Sequence, residues 1–173
     1  MPPRWPAADP NPDSPRVSPE KTPRAYKSYA RFTKKRGDEP RTVTADAKSV
    51  VQSFYANLAE GKPQAAFALC SDDIEWNEAE GNPLADRNPY RGASQIAEGV
   101  FGRLGAIFEG FAAVPDEFIA ENGRVIVIAR YHGTHRKSGA KLYCQAVHSW
   151  WVDGGKIVRF QQYADTAQLS RLS

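Results

Sequence analysis

From Phe108 onward the chain is written in period two. Runs such as "RVIVIARYHG" and "KLYCQAVHSWWV" carry apolar residues at every second position or more. Between them lie very short turn sequences. "ENG", Glu121 to Gly123, is one, and Asn-Gly accepts the positive φ that a tight hairpin needs. "DGG", Asp153 to Gly155, is another and leads into "KIVRFQQYAD". Turns this short join only antiparallel neighbours, because a parallel connection needs a dozen or more residues. With "FEGFAAV" and "DEFIAE" ahead of them, these runs predict an antiparallel meander. The apolar run in "RVIVIARYHG" predicts cover on both of its faces.

The pattern upstream has the helical period. Thr44 is placed to cap a helix with Val51, Phe54, Tyr55 and Leu58 on one stripe. Gly61 stops it, and Pro63 opens a short second helix with Ala66, Phe67 and Leu69 inward. "SDD" reads as a turn into a first strand, Ile74 to Glu78. After the loop "GNPLADRNPYRG" a third helix puts Ile96, Val100 and Leu104 on one face. Helices followed by a meander predict an α+β fold, a curved, mostly antiparallel sheet wrapped over its N-terminal helices. Such a sheet makes a cone-shaped α+β barrel, and the open end of a cone is a natural small-molecule pocket. Bulges are what bend such a sheet, so strict alternation is not expected along the long strands.

Residues 1–43 are of another kind. They hold nine of the 13 prolines, and ten Lys or Arg against five Asp or Glu. Proline removes backbone donors, and the few apolar residues show no period, so this tail is read as disordered. Its segment "RAYKSYARFTKKR" interleaves base and aromatic and is suited to weak contact with an anionic polymer such as nucleic acid. The abrupt start of pattern near "VTADAKSVV" carries a further expectation: that a bacterial host starts the native protein at Val43, from a GTG codon. Residues 44–173 form the one folded domain, mildly acidic, with 13 Lys or Arg against 15 Asp or Glu. No apolar run is long enough to span a membrane, and no secretory signal opens the chain. Cys70 and Cys144 read as two free buried thiols in a reducing cytoplasm.

Asp165, in "YADTAQ", supports two readings from the residues alone. It is a carboxylate at a strand end that can face a pocket, or the N-cap of a last helix, with Gln168 three residues on. His148 shares a strand face with Leu142, Cys144, Ala146 and Trp150, either as a core histidine or as a proton partner. Trp76 and Glu78 alternate onto one side of the first strand. Tyr55, Tyr90, Phe101, Tyr131 and Tyr163 are candidate lining residues. His132 and His135 in "HGTH" lack a third ligand at metal spacing, so no metal is expected. With no Gly-rich phosphate loop and no Ser or Cys elbow, no cofactor and no acyl-enzyme are expected.

The residues from about Ala45 to Leu172 resemble the nuclear-transport-factor-2-like superfamily, in particular its SnoaL-like polyketide cyclase and ketosteroid-isomerase-like members. The resemblance is carried by "SVVQSFYANLAEG", "IEWNEAEGNP", "YRG" and above all "VHSWWVDGGKIVRFQQYADT". It implies the cone fold and dimerisation through the sheet. It implies that Asp165 is the acid–base catalyst at the end of the last strand and that His148 is its neighbour. For the isomerase-like members it implies instead a base on the first strand, where Trp76 and Glu78 stand, and a hydroxyl, which Tyr55 offers. The expected activity is isomerisation, aldol-type cyclisation or dehydration of a small apolar carbonyl compound. The alternatives are a non-catalytic ligand-binding protein and a dimeric interaction module of the same fold.

Overall fold

The computed structural model describes residues 44–172 of the 173-residue chain, so every reading of residues 1–43 lies outside the described residues. The same holds for the side chain of Thr44. Helix α1 runs Thr44–Ala59, and its stripe is buried at Val51, Phe54 and Tyr55. Helix α2 is Pro63–Phe67, with Ala66 buried. Strand β1 is Cys70–Asn77, longer than its sequence implies. "SDD" lies within it rather than in a turn. That half of β1 faces solvent and lies in a register shift of the parallel pairing with β6 (Lys156–Ala164), which is made at Cys70 and again from Glu75 to Asn77. A 3-10 turn, Pro83–Arg87, and a two-residue strand β2, Tyr90–Arg91, follow.

The third helix is built in three pieces: α3 Gly92–Ile96, a π turn Ala97–Gly102, and α4 Arg103–Ile107. Ile96, Val100 and Leu104 are spaced by four, wider than the 3.6-residue α period. The wider π turn keeps all three against the core. Gly99 makes room here, since a Cβ on it would stand 2.3 Å from the ring of Tyr90.

Strands β3 (Phe108–Glu121), β4 (Arg124–His135), β5 (Lys141–Asp153) and β6 form the meander. "FEGFAAV" and "DEFIAE" are one strand, bent by a shift of register between Pro115 and Glu117. Proline is tolerated there because β3 is an edge strand. At the expected β3–β4 hairpin, Asn122 and Gly123 have φ of 49° and 76°. The sheet order is β2-β1-β6-β5-β4-β3, and every pair except β1 with β6 is antiparallel. The result is the expected α+β architecture, a curved, unclosed sheet over N-terminal helices.

The concave face holds the core. Phe54 of α1 meets Trp150 at 5.0 Å between ring centroids, Trp150 meets Phe160 at 4.5 Å, and Phe160 stacks on Trp76 at 3.7 Å. The convex face does not have the cover expected over "RVIVIARYHG". Ile128 is 39% exposed there, in a cross-strand row with Val147 and Tyr163. Cys70 and Cys144 are free and buried. No helix among the described residues is long and apolar enough to cross a membrane.

Candidate functional site

Between α1, the π turn and the concave face lies a cavity of about 950 Å³. Its walls are mostly apolar, among them Trp76, Phe101, Phe108, Phe111, Phe118 and Trp150. Glu78 is the only charged side chain among its described lining residues.

Glu78 lies one residue beyond the end of β1. Its backbone is clamped from outside: its N–H donates to Asn88 Oδ1 at 3.0 Å, and Asn88 Nδ2 donates to its carbonyl at 2.8 Å. The clamp continues the strand geometry for one residue and turns the carboxylate inward beside Trp76. There the Trp76 indole N–H donates to one oxygen at 2.7 Å, and Asn82 Nδ2 donates to the other at 2.8 Å. The group is 2% exposed. Burial pushes its pKa up to about 7, partly opposed by hydrogen bonds from Trp76 and Gln162. A carboxyl with that value is a proton acceptor of useful strength near neutrality.

Asn82 and Gln162 connect this carboxylate to the rest of the site. Asn82 Oδ1 accepts from the Leu84 N–H, which fixes its amide with Nδ2 toward Glu78 and Gln162 Oε1. Gln162 Oε1 also accepts from the Ala79 N–H, so its own Nε2 donates to the Tyr131 hydroxyl at 2.8 Å. His148 then stands between two tyrosines. Tyr131 Oη is 2.5 Å from its Nε2, and Tyr55 Oη is 2.5 Å from its Nδ1. Burial pushes the His148 pKa down to about 3 and both tyrosines up, so all three are neutral at working pH. The buried Trp150 indole N–H has no acceptor at hydrogen-bond geometry. It is still near enough to Tyr55 to offset a little of that hydroxyl's burial-driven rise.

The structure thus brings together six of the expected residues: Tyr55, Trp76, Glu78, Phe101, Tyr131 and His148. Three others stand elsewhere. Asp165 is the N-cap of the last helix, α5 (Thr166–Arg171). Its carboxylate accepts from the Gln168 backbone N–H at 3.3 Å and from Gln168 Nε2 at 2.8 Å. These bonds hold its pKa below the usual carboxylate value, and the residue is not in the cavity wall. It is a cap rather than a desolvated base. Tyr90 is buried away from the cavity under Gly99, its hydroxyl donating to the Leu84 carbonyl at 2.6 Å. Tyr163 is 57% exposed, because the two-residue period that puts Phe160 and Gln162 inside puts it outside. His132 packs against Tyr143 and His135 bonds Ser138. No three metal-ligating side chains cluster among the described residues.

Two polar members of the site escape a reading by residue type. Asn82 sits in "GNP", where a turn explains it fully. Gln162 carries one weak signal, a polar residue at an inward position two beyond Phe160.

Residues 51–160 match the SnoaL-like domain. Among solved structures, a nuclear-transport-factor-2-like protein from Burkholderia thailandensis is 36% identical over 73% of this chain and 95% of its own, with a TM-score of 0.69. TerC, co-crystallised with polyporic acid, is 23% identical over 73% and 97%, with a TM-score of 0.66. A protein of ketosteroid-isomerase-like fold from Catenulispora acidiphila, solved with trimethylamine, is 18% identical over 72% and 91%, with a TM-score of 0.60. No curated protein matches this chain.

Proposed function

The chain belongs to the SnoaL-like family, and from the cavity it builds on that fold we propose cofactor-free acid–base chemistry on a small, neutral, apolar carbonyl compound. Glu78 is the base on this reading, in place of Asp165. The observation that carries it is the Glu78 carboxylate, buried in an apolar wall, held by two N–H donors and raised to about pH 7. Removing a proton beside a carbonyl leaves charge on the oxygen, which needs a donor. A tyrosine hydroxyl, Tyr55 or Tyr131, braced by His148, supplies it. His148 positions that donor and does not itself exchange protons with substrate, since its pKa is far below neutrality. A neutral ligand fits because no Lys or Arg is among the described lining residues to meet an anion. A small-molecule ligand for this fold is also supported by the neighbour that was co-crystallised with polyporic acid. Isomerisation, aldol-type cyclisation and dehydration all begin with this proton transfer.

The test is exchange of the α-protons of 2-tetralone in D₂O, followed by NMR. Wild type is expected to accelerate exchange, with the rate falling below about pH 7 as Glu78 protonates. Glu78→Gln is expected to return it to the buffer rate. A wild type that binds the ketone without accelerating exchange would establish the ligand-binding alternative. The free buried thiols Cys70 and Cys144 support a reducing cytoplasm as the protein's location, and the exposed row at Ile128 supports a second copy of the chain on the convex face of the sheet, both as part of this proposal.

A further inference from the structure

The two hydroxyls and the imidazole at the end of the cavity contain more hydrogens than their mutual bonds use. Tyr55, neutral His148 and Tyr131 bring three polar hydrogens to two links, Tyr55–His148 and His148–Tyr131. Gln162 cannot absorb the third, because its Oε1 faces Ala79 and Asn82 and its Nε2 is itself a donor to Tyr131. One hydroxyl hydrogen therefore has no acceptor among the described residues, and both hydroxyl-bearing residues are in the cavity wall.

The tautomer of His148 decides which hydroxyl that is. With the proton on Nδ1, His148 donates to Tyr55, Tyr131 donates to Nε2, and the Tyr55 hydrogen is free. With the proton on Nε2, His148 donates to Tyr131, Tyr55 donates to Nδ1, and the Tyr131 hydrogen is free. We propose that Tyr55–His148–Tyr131 is a two-ended clamp for the oxygen of a ketone or its enolate, in which a shift of the His148 tautomer moves the single donor from one tyrosine to the other. This deepens the proposed function and rests on it for the class of ligand. It adds a preference: a ligand oxygen that accepts satisfies the free hydroxyl hydrogen, which a ligand without an acceptor leaves unpaired. The two arrangements hold the same three hydrogens: passing from one to the other moves the Nδ1 proton to Tyr55, the Tyr55 proton to a water in the cavity, one from that water to Tyr131, and the Tyr131 proton to Nε2, with no movement of the backbone.

The probes are 9-fluorenone and fluorene, flat neutral molecules that differ by the carbonyl oxygen. Wild type is expected to bind fluorenone roughly five- to tenfold more tightly than fluorene. The infrared carbonyl stretch of the bound ketone should lie below its value in hydrocarbon solvent. Tyr55→Phe and Tyr131→Phe should each keep the preference and the infrared shift, and the double variant should lose both. A bare ring lone pair is tolerated in the interior better than an orphaned N–H. ¹⁵N NMR of His148 without ligand should therefore report Nε2–H in Tyr55→Phe and Nδ1–H in Tyr131→Phe. The same tautomer in both variants, loss of the preference in one single variant alone, or a wild type that binds the ketone no better than the hydrocarbon overturns the clamp. Glu78→Gln should keep the infrared shift. A wild type that shows the infrared shift but does not accelerate α-proton exchange rejects the acid–base reading and leaves the clamp standing.

Discussion

Glu78 and His148 sit in one cavity wall, and burial moves them in opposite directions because it penalises the charged form of each. The folded state holds the Glu78 proton more tightly than the unfolded chain does, with a pKa near 7 against 4.5. That contribution to stability is full below about pH 4.5 and is lost as pH rises through 7. His148 binds its proton more weakly when folded, near 3 against 6.5, so its contribution is full above 6.5 and lost as pH falls toward 3. From pH 4.5 to 6.5 the two slopes oppose each other, each about 1.4 kcal/mol per pH unit. Carboxylates held low by partners, Asp165 among them, act below this window. Urea unfolding of wild type should therefore be nearly flat between pH 5 and 6, and Glu78→Gln should gain on the order of 1 kcal/mol over the same step. A variant as flat as wild type would show that Glu78 is not the group opposing His148. Part of this site was legible from residue types. Trp76, Glu78 and His148 each carried a shared strand face by alternation, Tyr55 an inward position by the helical stripe, and Tyr131 was marked only by residue type. Asp165 was not legible, because a strand end and a helix start coincide there and nothing local says which one the side chain obeys. Gln162 and Asn82 meet each other across 80 residues of sequence, a relation no short window contains.

At the scale of elements, the hairpins were written in their turns, since Asn122-Gly123 and Gly154-Gly155 hold the positive φ that such turns require. The parallel pairing of β1 with β6 was not. Ser71, Asp72 and Asp73 favour a turn locally, and they enter the strand as the irregular stretch between the two places, Cys70 and Glu75–Asn77, where β6 from the far end of the chain pairs with it. The third helix was legible in its inward residues but not in its geometry, because the π turn depends on the fit of Gly99 against Tyr90. That fit has a measurable consequence. Tyr90 is anchored by its bond to the Leu84 carbonyl and flanked by the Arg103–Asp86 ion pair at 2.7 Å. A methyl group at position 99 cannot be accommodated without moving the ring. Gly99→Ala should cost about 1–3 kcal/mol by overpacking, despite the higher helix propensity of alanine. An unchanged urea midpoint would mean that the π turn yields freely and that the Gly99–Tyr90 contact does not shape it.

For the molecule as a whole, the convex face is where sequence pattern and single-chain structure disagree most. "RVIVIARYHG" reads as a strand covered on both sides, yet Ile128 stands in the open row with Val147 and Tyr163, and Val114, Ile119 and Tyr143 are exposed as well. Cation–ring pairs flank the row: Arg130 lies 4.4 Å from the Tyr143 ring centre, and Arg124 and Arg159 lie over Trp151 at 4.3 and 4.8 Å. The guanidinium groups are thus placed against rings around the apolar strip, as a rim is placed around the core of an interface. A two-fold contact brings one patch against its own copy, so an apolar row meets an apolar row and the basic rims need not coincide. The proposed second copy on this face accounts for the apolar residues that the fold of one chain leaves exposed. Sedimentation velocity of the full chain should therefore give a dimer. Ile128→Glu places a charge in the middle of the row, outside the cavity, and should give a folded monomer that still binds 9-fluorenone. A wild type that sediments as a monomer at the same concentration would remove the second copy, and the exposed row would then need another partner to explain it.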